Sequence, residues 1–267
     1  MPSAPRTALS PAASLRAWTQ PGLEVFTDGV NQHPARSDGS PPTVFLLDVD
    51  NTLLDNDRLE QDLEAHLASE FGQDQRRLYW DIFEQLRAEL GYADYLGALQ
   101  RFRIARPHDG GLVRMSSWLV DYPFSERLFA GALDALRELS SLGLTVILSD
   151  GDVVFQPRKI ERSGIGRAVG GRILIYVHKE LELQDVERRY PARRYVLVDD
   201  KLRILSAVKA AWGERVVTVF VRQGHYAHDA QGIANYPPAD HSIDRISEVV
   251  ALARSLEPGP KVEAPDL

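Results

Sequence analysis

The sequence predicts an α/β fold: a doubly wound parallel sheet, Rossmann-like, interrupted by an inserted all-helical cap. Three observations carry this prediction. Short apolar runs alternate with helical segments along most of the chain. The runs are continuously apolar rather than striped, as strands are when helices cover both faces of a parallel sheet. One long stretch, from about Asp57 to Asp121, keeps helical periodicity and contains no strand-like run.

Residues 1–42 are rich in Pro, Ser, Ala and Gly and read as a loosely ordered lead-in, with LEVFTDGV as a short ordered piece inside it. The α/β core is assigned to residues 43–56 and 122–257. Its first strand is Thr43–Leu47, bounded upstream by Ser40, Pro41 and Pro42. The cap, residues 57–121, shows three helical faces: Leu59, Leu63, His66 and Leu67; then Ile82, Phe83, Leu86 and Leu90, ending at Gly91; then Tyr95, Leu96, Leu99 and Phe102. Pro107, Gly110 and Gly111 break the run, and Ser116 to Val120 reads as one more short helix.

Alternation then resumes. Leu133, Leu136 and Leu139 mark a helix closed near Gly143, and LTVILSD (Leu144–Asp150) is a strand. Pro157 to Ser163 is a helix stopped at Gly164, and RILIYV (Arg172–Val177) is a strand. Leu181 to Arg189 is helical, and RYVLVDD (Arg194–Asp200) is a strand. Leu202 to Ala211 is a helix, VVTVFV (Val216–Val221) is the last clear strand, and Ser247 to Leu256 closes the core with a helix. Residues 258–267 form a tail. The sequence has no internal repeat and no heptad array.

Composition narrows the function. Of 267 residues, 44% are hydrophobic and 26% charged, as in ordinary globular proteins. The net charge of −7 supplies no basic field for nucleic acid. With no cysteine there is no disulfide, thiolate metal site or cysteine nucleophile, which fits a cytoplasmic setting. No uncharged apolar stretch approaches the ~20 residues that span a bilayer. The N-terminus lacks a secretory apolar segment. Arg6, Arg16 and its serines faintly resemble an organelle-targeting peptide, but a Pro/Ser/Ala tail is the preferred reading.

The chemistry gathers at strand ends. In LLDVDNTLLDN, Asp48 and Asp50 leave the first strand two residues apart, at the edge where open α/β sheets bind ligands. Two acids there repel unless a cation or a shared proton intervenes, so the pair suggests a metal site, a nucleophile with an acid/base partner, or both. Ser149 ends the second strand, Lys179 lies just past the third, and Asp199 and Asp200 end the fourth. Each alone has an ordinary explanation. Asp50, Asn51 and Thr52 could form a turn or helix cap, Asp199 and Asp200 could cap the next helix, and Lys179 could be a surface lysine. Together they require coincidences at four strand tips.

This set resembles the haloacid dehalogenase-like hydrolase superfamily, in its phosphatase branch with a helical cap. The resemblance rests on Asp48, Val49, Asp50, Asn51 and Thr52, on Ser149 in VILSDGD, on Lys179 in YVHKE about twenty residues before the last motif, and on Asp199 and Asp200 in VLVDD; it covers about Thr43 to Leu256. Asn51 stands where glycine is commonest. Ile204 stands where a further acid would follow Asp200, so the direct metal ligand is either Asp199 or Asp200, with Asp200 favoured.

The resemblance implies a Mg²⁺-dependent phosphoric monoester hydrolase acting on a small phosphorylated metabolite. Asp48 would be the nucleophile and Asp50 the general acid, its proton retained through burial beside like charges. Ser149 and Lys179 would bind the phosphoryl group, and Thr52 would fix the turn that positions Asp50 beside them. Asp48, Asp200 or Asp199, and the backbone carbonyl of Asp50 would hold the metal. The expected partner is a small phosphate ester, not nucleic acid or membrane. On the same scaffold, a 2-haloacid dehalogenase, a phosphomutase or a non-catalytic binding module are the alternatives.

Several residues are kept out of the site. Lys201 reads as a helix-start lysine, and Asp150 and Asp152 as turn formers. His66, His178, His225, His228 and His241 show no metal spacing. Arg101, Arg103, Arg106 and Arg114 read as a solvated cap face rather than an anion cradle. Trp80, Tyr92 and Tyr95 read as cap core.

Overall fold

The computed structural model describes residues 43–256. The expectations for residues 1–42, including the segment at 23–30, and for the tail at 258–267 lie outside the described residues. Six parallel strands form one sheet in the order β3-β2-β1-β4-β5-β6. They are β1 (Val44–Leu47), β2 (Leu144–Asp150), β3 (Ile173–Tyr176), β4 (Tyr195–Asp199), β5 (Val216–Val221) and β6 (His241–Ile243). Five of these match the apolar runs. The sixth is three residues long, too short to show a periodicity, and is recognisable only by its pairing with Val219–Val221.

Alternate residues of each strand serve opposite faces, and both faces are apolar. Phe45 and Leu47 of β1, Val196 and Val198 of β4, and Val219 of β5 join one cluster. Val44 and Leu46 of β1, Val146 of β2, and Tyr195 and Leu197 of β4 join the other. That two-sided burial produced the unstriped runs.

Between β1 and β2 the chain forms α1 (Asn56–Phe71), α2 (Gln73–Leu90), α3 (Tyr95–Ile104), α4 (Gly111–Asp121) and α5 (Ala132–Leu142). Helix α4 is longer than the sequence suggested and starts at Gly111. Helix α1 packs against α2 and α4, and α3 packs against the same two, so α1 to α4 make one helical unit. Ring contacts connect this unit to the sheet domain: Tyr95 meets Phe155 at 5.2 Å, and Phe155 meets Phe124 at 5.6 Å between centroids.

The remaining helices are α6 (Phe155–Ser163), α7 (Ile165–Ala168), α8 (Leu183–Arg189), α9 (Leu202–Trp212), α10 (Ala230–Ala234) and α11 (Val249–Leu256). Among the described residues no helix is long and apolar enough to cross a membrane. The strand order reverses direction at β1, which has β2 on one side and β4 on the other. Such a reversal opens a crevice beyond the strands' carboxyl ends.

Candidate active site

Strand register sets the heights of the acidic residues. Leu47 of β1 is level with Val198 of β4 and Ile147 of β2. One step on, Asp48 emerges beside Asp199, and its amide donates to the carbonyl of Val198 at 3.0 Å. Asp48, Asp199 and Asp200 are all buried, and one carboxylate oxygen of each lies within 4.8 Å of the others.

Lys179 reaches this group from the far side of β2. Its ammonium lies 2.6 Å from Asp48 Oδ1 and 2.7 Å from Asp199 Oδ2, and it donates to the carbonyl of Leu148 at 3.2 Å. The Lys179 amide donates to Asp150 Oδ1 at 2.7 Å, which fixes the lysine's backbone at the sheet edge. Ser149 places its hydroxyl 3.3 Å from Asp48 Oδ1 and accepts a hydrogen bond from Gln156 Nε2 at 2.9 Å. Thr52 is buried in the turn after β1, where its carbonyl accepts from Gln223 Nε2 at 3.3 Å.

Lys179 does not satisfy every oxygen of this cluster. Asp48 Oδ2 and both oxygens of Asp200 are buried without a hydrogen-bond partner among the described residues. Burial, opposed by Lys201 but reinforced by Asp199 and Asp48, pushes the Asp200 carboxyl well above the ordinary carboxylate range. Burial also raises Asp199 against the pull of Lys179. Burial would lower Lys179, but the carboxylates of Asp199, Asp48 and Asp150 outweigh it and hold the ammonium above the usual lysine range. A buried ion without compensation costs several kcal/mol even after relaxation. These clustered carboxylates could hold a metal ion.

Asp50 sits in different surroundings from those expected. Its side chain is 26% exposed, and its Oδ1 lies 2.6 Å from the ammonium of wholly buried Lys159 of α6. The expected crowd of like charges is replaced by a cation. Lys159 also donates to Asn56 Oδ1 at 3.0 Å, and Asn56 Nδ2 donates to Glu60 Oε1 and Tyr95 OH. The Asp50 carboxylate is not one of the three clustered carboxylates. The expectation of metal ligation at Asp50 concerned its backbone carbonyl alone.

The asparagine in the glycine position has a structural role. Asn51 has φ +56°, a left-handed conformation that asparagine tolerates better than most side chains. Its Oδ1 accepts from the amides of Asn56 and Asp57 at the start of α1, and its Nδ2 donates to Asp57 Oδ1. His225 Nδ1 lies 2.6 Å from the same Asp57 oxygen. The turn that presents Asp50 thus also starts the inserted helices.

A cavity of about 370 Å³ opens over these groups, lined by Asp50, Asp150 and Asp200 and by residues of the inserted helices. Arg87, Gly91, Tyr92 and Tyr95 line it from that side; Lys159, Lys201, Arg203, Tyr226 and Tyr236 line it from the sheet domain. The structure thus corrects several sequence expectations. Lys201 belongs to the cavity wall. Asp150 clamps Lys179, whereas Asp152 does form a turn, accepting from the amides of Val154 and Phe155. Tyr92 and Tyr95 line the cavity, with Tyr95 also buried in the core. Arg101, Arg106 and Arg114 are engaged by Glu89, Asp109 and Glu70 and do not line the cavity, in keeping with a solvated face; the cap cation at the cavity is Arg87. Gln156 and Lys159 were missed altogether; their only local signal is a helix directly after the Ser149 strand.

Comparison with known proteins agrees with this geometry. The pattern of the haloacid dehalogenase-like hydrolases matches residues 42–219. A solved structure from Burkholderia xenovorans LB400, described as a haloacid dehalogenase-like hydrolase, shares 60% identity over 80% of this chain and 98% of its own, with a TM-score of 0.77. Two more distant structures share the fold. One is the magnesium-bound HAD-hydrolase YfnB of Bacillus subtilis, at 16% identity over 80% of this chain and 99% of its own, TM-score 0.54. The other is the L-2-haloacid dehalogenase of Xanthobacter autotrophicus, at 15% identity over 81% of this chain and all of its own, TM-score 0.54. No curated protein matches the chain.

Proposed function

The chain belongs to the haloacid dehalogenase-like hydrolase family, and on that premise we propose that it hydrolyses phosphate monoesters through an aspartyl-phosphate, with Mg²⁺. The observation that carries this reading is the buried group of Asp48, Asp199 and Asp200, in which Asp48 Oδ2 and both Asp200 oxygens have no hydrogen-bond partner among the described residues. Displacing halide from a haloacid needs a nucleophilic carboxylate but neither a second acidic pair nor a proton for the leaving group. The acid-rich pocket and Asp50 favour the phosphate ester.

The donor set fits magnesium, a hard cation that prefers carboxylate, carbonyl and water oxygens. Asp48 and Asp200 would hold it with the backbone carbonyl of Asp50. Asp199 is occupied otherwise: its Oδ2 faces Lys179 and its Oδ1 accepts from the Lys201 amide at 2.8 Å. When bound, the ion supplies charge that offsets the substrate phosphate and the carboxylates around it.

The chain's own groups then divide the work. Lys179, the Ser149 hydroxyl and the amides after Asp48 hold the phosphoryl oxygens as charge redistributes. Asp48 attacks phosphorus; the new P–O bond forms as the bond to the leaving oxygen breaks, and Asp50 gives that oxygen a proton. Asp50 then takes a proton from water as its oxygen attacks phosphorus, which releases inorganic phosphate and the Asp48 carboxylate. Lys159, 2.6 Å from Asp50 Oδ1, fixes the position of that carboxyl group.

The experiment is turnover of p-nitrophenyl phosphate with Mg²⁺ by wild type and Asp48→Asn. The wild type is expected to hydrolyse the ester and the variant to lose all measurable turnover. Wild-type rates in the variant would remove Asp48 as nucleophile. Halide release from a 2-haloacid, unaffected by chelator, would favour the dehalogenase instead.

A further inference from the structure

We propose that Arg87, Lys201 and Tyr226 form a second anion subsite, so that the substrate is a phosphate monoester whose far end carries another anionic oxyacid group, a carboxylate or a second phosphate. The inference rests on the phosphatase reading and extends it to substrate class.

The cavity of about 370 Å³ falls in the range of small-ligand sites and extends from the acidic cluster to the inserted helices. Two of the four cations at its wall are held in close ion pairs. Lys159 is paired with Asp50, and Arg203 with Glu180. Of the acids at the wall, Asp50 faces Lys159, Asp150 accepts from the Lys179 amide, Asp229 caps α10 by accepting from Gly232 at 3.0 Å, and Asp200 is the ligand assigned to Mg²⁺. Lys201 has no such close partner: its charge is shared at longer range with Asp200, Asp48 and Asp199, the acids that Mg²⁺ would neutralise. Its ammonium makes no hydrogen bond or ion pair to another described residue and stands 5.4 Å from the centre of the Tyr226 ring.

Arg87 reaches the same tyrosine at its hydroxyl. On α2, its Nη2 donates to Tyr226 OH at 2.8 Å, while Nη1 lies 3.6 Å from Glu84, whose side chain is mostly exposed. An ion pair that long and that solvated competes weakly with a ligand. Tyr226 accepts from Arg87 and keeps its own O–H proton for a further acceptor. Two cations and a phenol therefore converge where the inserted helices face the sheet domain. A guanidinium fork and a hydroxyl donor suit carboxylate or phosphate oxygens. A substrate held at Asp48 by its phosphate and here by its tail would span both parts of the protein.

The test compares butyl phosphate, 3-carboxypropyl phosphate and butane-1,4-diyl bisphosphate, with Mg²⁺ and the full chain. Wild type is expected to prefer at least one anion-tipped ester over butyl phosphate by about tenfold or more in kcat/KM, as a charge-assisted hydrogen bond allows. Which of the two is preferred identifies the oxyacid. Arg87→Met and Lys201→Met should each bring the ratio towards one, while Arg103→Met, altering an exposed cap arginine, should leave the ratio as it was. Equal kcat/KM for all three esters in wild type would overturn the subsite and leave the phosphatase reading intact, as would a preference that survives both substitutions. If no ester is turned over, the phosphatase reading fails, and calorimetric titration with the same three compounds decides the subsite. Tighter binding of a charged-tip ester, lost in Lys201→Met, supports it; equal binding, or none, ends it.

Discussion

Lys159, wholly buried on α6, holds its ammonium 2.6 Å from Asp50 Oδ1 and 3.0 Å from Asn56 Oδ1. It therefore joins the proposed general acid to the first turn of the inserted helices. Through Asn56 the connection continues to Tyr95 and Glu60, whose carboxyl is raised by burial despite the hydrogen bond from Tyr95. The residue that moves protons in the proposed reaction is thus held by a buried side chain of α6.

Replacing Lys159 with Met keeps most of the stem volume and removes the cation. Asp50 and Asn56 then lose their common partner. Because Asp50 is partly solvated, the loss of stability should be below that of a fully buried pair, about 1–3 kcal/mol. Turnover of an aryl phosphate should fall by about tenfold or more, mainly in kcat, since ground-state contacts to phosphate remain. Urea unfolding and steady-state kinetics check both. Wild-type kcat in a stably folded variant would mean that the contact does not orient Asp50.

The Asp200 carboxylate has both oxygens free for a cation. Mg²⁺ should raise the melting temperature of the wild type, because ligand bound only to the folded state stabilises it. In Asp200→Asn that rise should shrink or vanish, while the metal-free variant should melt no lower than metal-free wild type, since a carboxyl whose charged form burial disfavours has gone. Differential scanning fluorimetry with and without Mg²⁺ and chelator reads both effects. An undiminished Mg²⁺ response would move the ligand role from Asp200 to another group.

Acid stability has a separate contributor away from the site. The Tyr176 hydroxyl, together with Arg188 and Arg189 and despite some burial, holds Asp185 down to about 2. A carboxyl depressed on folding adds stability above its unfolded pKa, about 3.9, and that stability is lost as pH falls through the folded value. The melting-temperature difference between wild type and Asp185→Asn should be constant above about pH 5 and shrink as pH falls from about 4 towards 2. A difference that is independent of pH throughout that range would contradict the assignment.

Local pattern carried much of the fold. Strands β1, β2 and β5, the helical stretch before Tyr122, and the strand-tip residues Asp48, Ser149, Lys179 and Asp199 were all readable, because burial on both faces leaves an apolar run and the chemistry follows its end. Strand β6 was not readable, being defined by pairing rather than periodicity. Lys159 was missed because a lysine on an amphipathic helix ordinarily faces solvent. Its partner Asp50 lies 109 residues away in sequence.

The amino-acid order alone therefore determined which residue types stand at the ends of which strands, and hence that acids, a hydroxyl and an amine share one sheet edge. The tertiary structure decided which charge meets which. It paired Asp50 with Lys159 rather than with other acids, engaged Asp199 while leaving Asp200 open, and brought Arg87 to Tyr226. The reason is geometric: a strand's end is fixed by its own periodicity, whereas the reach of a lysine or arginine depends on how distant helices pack.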